Sequence, residues 1–177
     1  MITVRCVCDE PQPYRSVAGT MQCHLCYRTI SEAAITVQTT ERASIDEYAL
    51  SLAVTAAGRS EDPYTKVGAC AMREDKTIAA LGYNGPPPGV DIDWSDRDER
   101  RKWVVHAETN AMRYVRPGEV FMVASTLLPC PQCMLILASM GVKRVVYRDT
   151  LDPTVYDNDL CLHVAERSGI EVERLSD

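Results

Sequence analysis

No apolar stretch in this 177-residue sequence approaches the ~20 residues that cross a bilayer, and its first residues lack the charged-then-apolar pattern of a secretory signal. Neither membrane insertion nor export is expected, and the cytoplasm is the default compartment. Basic charge is also short: 19 Lys and Arg stand against 25 Asp and Glu, giving a net charge of −6 and a pI near 5.1. A protein that grips a polynucleotide draws most of its affinity from neutralised phosphates. Here the basic clusters are short and interleaved with acids, as in Arg97 to Lys102, so a nucleic-acid partner is not expected.

Apolar residues are plentiful. At 46% they suffice for the core of one α/β domain with a small appendage. Of the eight cysteines, six fall into closely spaced pairs of metal-ligand type, which fits a reducing compartment better than a disulfide framework.

One pair belongs to the most informative motif. His106-Ala107-Glu108 is followed by Pro129-Cys130-Pro131-Gln132-Cys133. Cys130 and Cys133 stand three apart, so at a helix start they project from one face and grip one ion. With His106 they make three zinc ligands, and three protein ligands leave the fourth tetrahedral position open, as catalytic zinc sites do. Glu108 does not share the face of His106 and is free to act on whatever fills the pocket. Zinc lowers the pKa of its bound water to about 7. Glu108 is then free to serve as general acid and base toward that water and the bound group. H-x-E with P-C-x-x-C is the signature shared by zinc deaminases.

Residues 1–30 read as a separate unit. Cys6-Val7-Cys8 and Cys23-His24-Leu25-Cys26 flank a segment containing Pro11, Pro13 and Gly19, which suggests two knuckles closing on one structural zinc with four thiolate ligands. Few apolar residues lie here, so the metal supplies most of the stability on this reading. Disulfides or free thiols are the alternatives, and His24 either replaces one Cys or faces solvent. Residues 31–43 form a polar connector, and 44–177 the main domain.

In that domain, Ser44-Ile45-Asp46-Glu47 is a capping box, and the helix it starts runs to Gly58. Val67–Met72 and Thr77–Tyr83 form an antiparallel hairpin through a polar turn. A long loop covers 84–101. Then come a helix from about His106 that ends before Pro117, a strand at Val120–Ala124, a helix at Cys130–Met140 and a strand at Val142–Tyr147. A helix at Val155–Arg167 and a strand at Ile170–Leu175 complete the pattern. A hairpin followed by βαβαβ predicts a three-layer α/β/α fold with a five-stranded mixed sheet, both zinc half-motifs lying where helices begin at one end of it. Cys70 is read as a buried thiol, Cys161 and His163 as core or near-surface residues, and Tyr114 and Tyr156 as core.

Several further stretches carry a resemblance. Asp62-Pro63-Tyr64-Thr65-Lys66-Val67-Gly68-Ala69, Gly82-Tyr83-Asn84-Gly85, His106-Ala107-Glu108-Thr109-Asn110-Ala111 and Leu128-Pro129-Cys130 resemble the motifs of the deoxycytidylate (dCMP) deaminases of the cytidine deaminase superfamily. The resemblance covers about residues 42–175. It implies hydrolytic deamination of dCMP to dUMP with release of ammonia, one catalytic zinc, a homo-oligomer (hexamers in many members) and regulation by dCTP and dTTP. It also implies that Asn84 contacts the nucleotide; read from the residues alone, Asn-Gly is equally a turn signal. Ala107, inside the H-A-E motif, joins it as a substrate-binding candidate. Lys66 and Arg42 are candidates for the 5′-phosphate, and each also reads as an ordinary surface cation.

The sequence departs from the family in two places. Gly85-Pro86-Pro87-Pro88-Gly89 stands where the family commonly reads G-M-P-x-G, which stiffens the loop near the effector site. Residues 89–105 contain no His or Cys, so the second zinc of some members has no ligands there. The rival readings are deamination of cytidine, dCTP or a guanine-type base, an editing or nucleic-acid-binding protein with the N-terminal unit as reader, and a purely structural zinc protein.

Overall fold

A computed structural model describes residues 2–4, 13–15, 21–23, 35–37, 42–150 and 157–175, the first four stretches as backbone. The chain divides into two units, Met1–Arg42 and Ala43–Asp177. In the first, β1 (Ile2–Val4) pairs antiparallel with β4 (Ile35–Val37), and β2 (Pro13–Arg15) pairs antiparallel with β3 (Met21–Cys23). Of the proposed ligands Cys23 lies in β3; Cys6, Cys8 and Cys26, with His24, lie outside the described residues.

The second unit opens with α1 (Ile45–Ala57). Ser44 Oγ accepts from Glu47 N–H while the Glu47 carboxylate accepts from Ser44 N–H, so the expected capping box is complete. Next come β5 (Gly68–Met72), β6 (Ile78–Tyr83), α2 (Arg97–Trp103), α3 (Ala107–Met112), β7 (Met122–Leu127), α4 (Pro131–Ser139), β8 (Arg144–Asp149), α5 (Asn158–Ser168) and β9 (Glu171–Arg174). The five-stranded sheet has the order β6-β5-β7-β8-β9; β5 runs antiparallel to β6 and β7, and β7, β8 and β9 are mutually parallel. The mixed sheet expected from the sequence is present.

The period of two along β5 explains the layers. Ala69 and Ala71 face a core shared with α3, α4 and α5, while Cys70 and Met72 face a second core built with Ala49, Leu50 and Ala53 of α1. Two glycines let the helices lie against the strands. A Cβ on Gly68 would sit 1.9 Å from Ala53 O, and one on Gly82 would sit 2.2 Å from Ala107 O.

Two expectations change. The stretch expected as a long loop contains α2, because Asp96 Oδ1 accepts from the N–H groups of Asp98 and Glu99 and basic residues close the last turn. The α3 helix ends at Met112, before Pro117 as expected. Tyr114 is 76% exposed rather than core, whereas Tyr156 lies outside the described residues. Cys70 and Cys161 are buried, and burial pushes their thiols up to about 11 and about 12. His163 sits near the surface, 3.8 Å from Glu166.

Candidate active site

Two helix starts and one strand assemble the site. His106 is the N-cap of α3 and Cys130 the N-cap of α4, with Pro131 at the first helical position, where its missing N–H costs nothing. Beyond β7, at the carboxyl end of the parallel strands, the chain turns at Leu128 and Pro129 into Cys130. An antiparallel bridge between Gly85 and Val105 fixes the approach to His106, and Asn110 Nδ2 donates to Tyr83 O at 2.8 Å, fastening α3 to the end of β6.

His106 Nδ1 lies 3.4 Å from Cys130 Sγ and 3.4 Å from Cys133 Sγ. All three ligand atoms fall within 4.8 Å of one another. An ion bonded tetrahedrally to nitrogen at about 2.05 Å and sulfur at about 2.3 Å holds those atoms roughly 3.6 Å apart, so the donor set fits zinc in both chemistry and spacing. The thiols are tuned for it. The bond from Cys133, with those from His106 and the Cys133 N–H, pulls Cys130 down to about 4, and the shared proton pushes Cys133 up. One thiolate is thus ready, and the second proton leaves when a metal binds. The bond to Cys130 also raises the pKa of His106.

Glu108 is 3% exposed. Burial raises its pKa, opposed mainly by its own backbone N–H, by His106 and by Ser125, whose hydroxyl lies 3.0 Å from Glu108 Oε1. The same hydroxyl lies 3.4 Å from Gly68 O, and its single proton serves the shorter, charged partner. A buried carboxyl raised toward neutrality is suited to proton transfer in both directions.

His106, Ala107, Glu108 and Cys130 line a cavity of about 540 Å³ that also exposes Asn84, Asp62 and Thr65. Both ends of the Asn84 amide are engaged: Oδ1 accepts from Val67 N–H at 2.8 Å, and Nδ2 donates to Thr65 O at 2.9 Å. Lys66 is exposed and donates from Nζ to Ser60 O at 2.7 Å, while Arg42 is an exposed residue of the first unit.

Residues 43–149 match the cytidine and deoxycytidylate deaminase zinc-binding region. The chain belongs to that family. The chain is 32% identical over 117 residues to a probable deoxycytidylate deaminase of Drosophila melanogaster, a match covering 58% of each protein. It is 35% identical over 123 residues to the deoxycytidylate deaminase of Mycobacterium phage D29, covering 58% of this chain and 92% of that protein. The match thus spans under two thirds of the fly relative's length. The dCMP deaminase of cyanophage S-TIM5, solved in complex with dCMP and dUMP, superposes with a TM-score of 0.64 at 28% identity over 77% of this chain and 100% of the phage chain.

Several residues at the site carry no motif signal in the sequence. Ser125, buried in β7, carries no motif, and only its place on the strand facing α3 marks it. Arg97, Arg100 and Arg101 also line the cavity, although their run reads as solvated surface. Their position fifth, sixth and ninth before His106 was the available signal.

Proposed function

We propose that the chain hydrolyses dCMP to dUMP and ammonia. The observation that carries this reading is Glu108, a buried carboxyl beside a His–Cys–Cys ligand set in one cavity. His106, Cys130 and Cys133 would hold zinc, which when bound acts as a Lewis acid and lowers the pKa of water. Glu108 accepts a proton from the attacking water and delivers it to N3 of the cytosine ring as C4 becomes tetrahedral. It then takes the second proton from the new C4 hydroxyl and passes it to the amino group, so that the C4–N bond breaks, the C4 carbonyl forms and ammonia leaves. Ser125 steadies the carboxylate between these transfers. The burial of Ala107 beside Glu108 leaves backbone for the base edge, and Asn84, held rigidly by its own hydrogen bonds, presents its remaining acceptor capacity to the nucleotide. The cavity volume suits a mononucleotide.

The same proposal gives Cys6, Cys8, Cys23 and Cys26 a second, structural zinc. Pairing of Pro13 with Cys23 brings together the two chain directions that lead to Cys8 and Cys26, which supports a common ion. A metal assay giving two zinc ions per chain, falling to one in a Cys23→Ser, Cys26→Ser variant, checks this. A homo-oligomer responsive to dCTP and dTTP, working in the cytoplasm, completes the proposal. No helix among the described residues is long and apolar enough to cross a membrane.

Ammonia release from dCMP, deoxycytidine, cytidine and dCTP tests the substrate. A marked preference for dCMP is expected, and preference for an unphosphorylated substrate overturns the reading.

A further inference from the structure

The cavity that holds Glu108 has a second chemical character. Arg97, Arg100 and Arg101 of α2 line it, and none of them forms an ion pair among the described residues. The acids nearby are spent elsewhere. Asp62 Oδ1 accepts from the N–H groups of Tyr64 at 2.8 Å and Thr65 at 3.0 Å, and Asp157 Oδ1 accepts from Leu160 N–H at 2.8 Å. Within α2, Asp96 is occupied in capping and Glu99 accepts from Asp93 N–H.

Arg100 stands out within this wall. Its guanidinium carbon lies 4.1 Å from the centroid of the Tyr64 ring, so one face is stacked and the plane is held. Its Nε is buried and has no hydrogen-bond partner among the described residues. A buried charged donor without an acceptor is costly, and a guanidinium of fixed plane offers a fork that matches phosphate oxygens. Lys66, by contrast, is not among the residues lining this cavity and donates from Nζ to Ser60 O.

The geometry points to Arg100 as the specificity residue that receives the 5′-phosphate, with Tyr64 holding its plane and Arg97 and Arg101 adding positive field. This rests on the proposed dCMP reaction and names the group that makes the site choose a nucleotide over a nucleoside. The basic run of α2 thereby serves a mononucleotide, in a chain whose overall charge is negative.

The test compares wild type, Arg100→Ala and Arg100→Lys on dCMP and deoxycytidine, with calorimetric binding of dUMP and deoxyuridine and with zinc content and melting temperature as checks on folding. In Arg100→Ala, kcat/KM for dCMP falls about ten- to a hundredfold and dUMP binding weakens in proportion, while both nucleosides change less than about threefold. Arg100→Lys, a point charge without the fork, recovers part of the loss and serves as the folded variant if alanine destabilises the chain. Equal losses for nucleotide and nucleoside, or unchanged dUMP affinity in either folded variant, overturn the assignment alone. A wild type that handles dCMP and deoxycytidine alike overturns the dCMP reading and this assignment with it.

Discussion

Ser125 Oγ donates to Glu108 Oε1 at 3.0 Å, joining the middle of β7 to the first turn of α3 through two buried side chains. A strand hydroxyl thus contributes to the acidity of a helix carboxyl, whose shift is dominated by burial. The Ser125 bond favours the ionised form of Glu108, against burial, which favours the protonated one.

Ser125→Ala removes only the stabilising donor, so the Glu108 pKa rises further. Because the base must be ionised to accept the first proton, the acidic limb of kcat/KM against pH moves upward by about one pH unit, with activity retained well above it. A pH-rate profile of the variant beside wild type reads this directly; coincident limbs show that Ser125 has no hold on the acid.

Gly82→Ala strikes the same helix from the sheet. The new Cβ would stand 2.2 Å from Ala107 O and 2.5 Å from Ala111 N, both backbone atoms of α3 that have no rotamer to give way. A loss of about 2–3 kcal/mol in denaturant unfolding is expected, together with a fall in kcat as Glu108 moves. Gly85→Ala is the control, since a Cβ there meets nothing within 4 Å. It should stay within about 0.5 kcal/mol of wild type.

The chemistry was legible in the sequence because it needs particular atoms at particular spacings. His106, Cys130 and Cys133 converge where the H-x-E and C-x-x-C motifs imply, since each half begins a helix and a helix start presents its ligands together. The unbroken apolar run of β5 and the capping box at Ser44 likewise reveal strand and helix from local physics. Ser125 and Arg100 were hidden because their roles depend on what the fold packs against them. A serine in an apolar strand has no pattern of its own. The arginines of α2 alternate with acids, and only the cavity distinguishes the side facing it from the solvated one. The helix itself was obscured by its charge density, although Asp96 and the ordered acids and bases along it match a capped helix.

The Asn84 amide ties Val67 N–H to Thr65 O, and the proposed function gives it nucleotide contact as well. Asn84→Ala strands Val67 N–H and Thr65 O in a mostly buried setting, at a cost of about 1–3 kcal/mol. Thermal melts should show that loss, and kinetics on dCMP should show a raised KM alongside it. A variant that melts early but keeps its KM leaves Asn84 with the structural role only.

The central claim is that Glu108 moves the protons of a zinc-assisted deamination. The most direct measurement is dUMP formed from dCMP by zinc-loaded wild type and Glu108→Gln, with bound zinc quantified in both. The account predicts dUMP and ammonia in equal amounts from wild type, and a variant that keeps its catalytic zinc while turnover falls by about a hundredfold or more. Near-normal turnover by a zinc-loaded Glu108→Gln protein would contradict it.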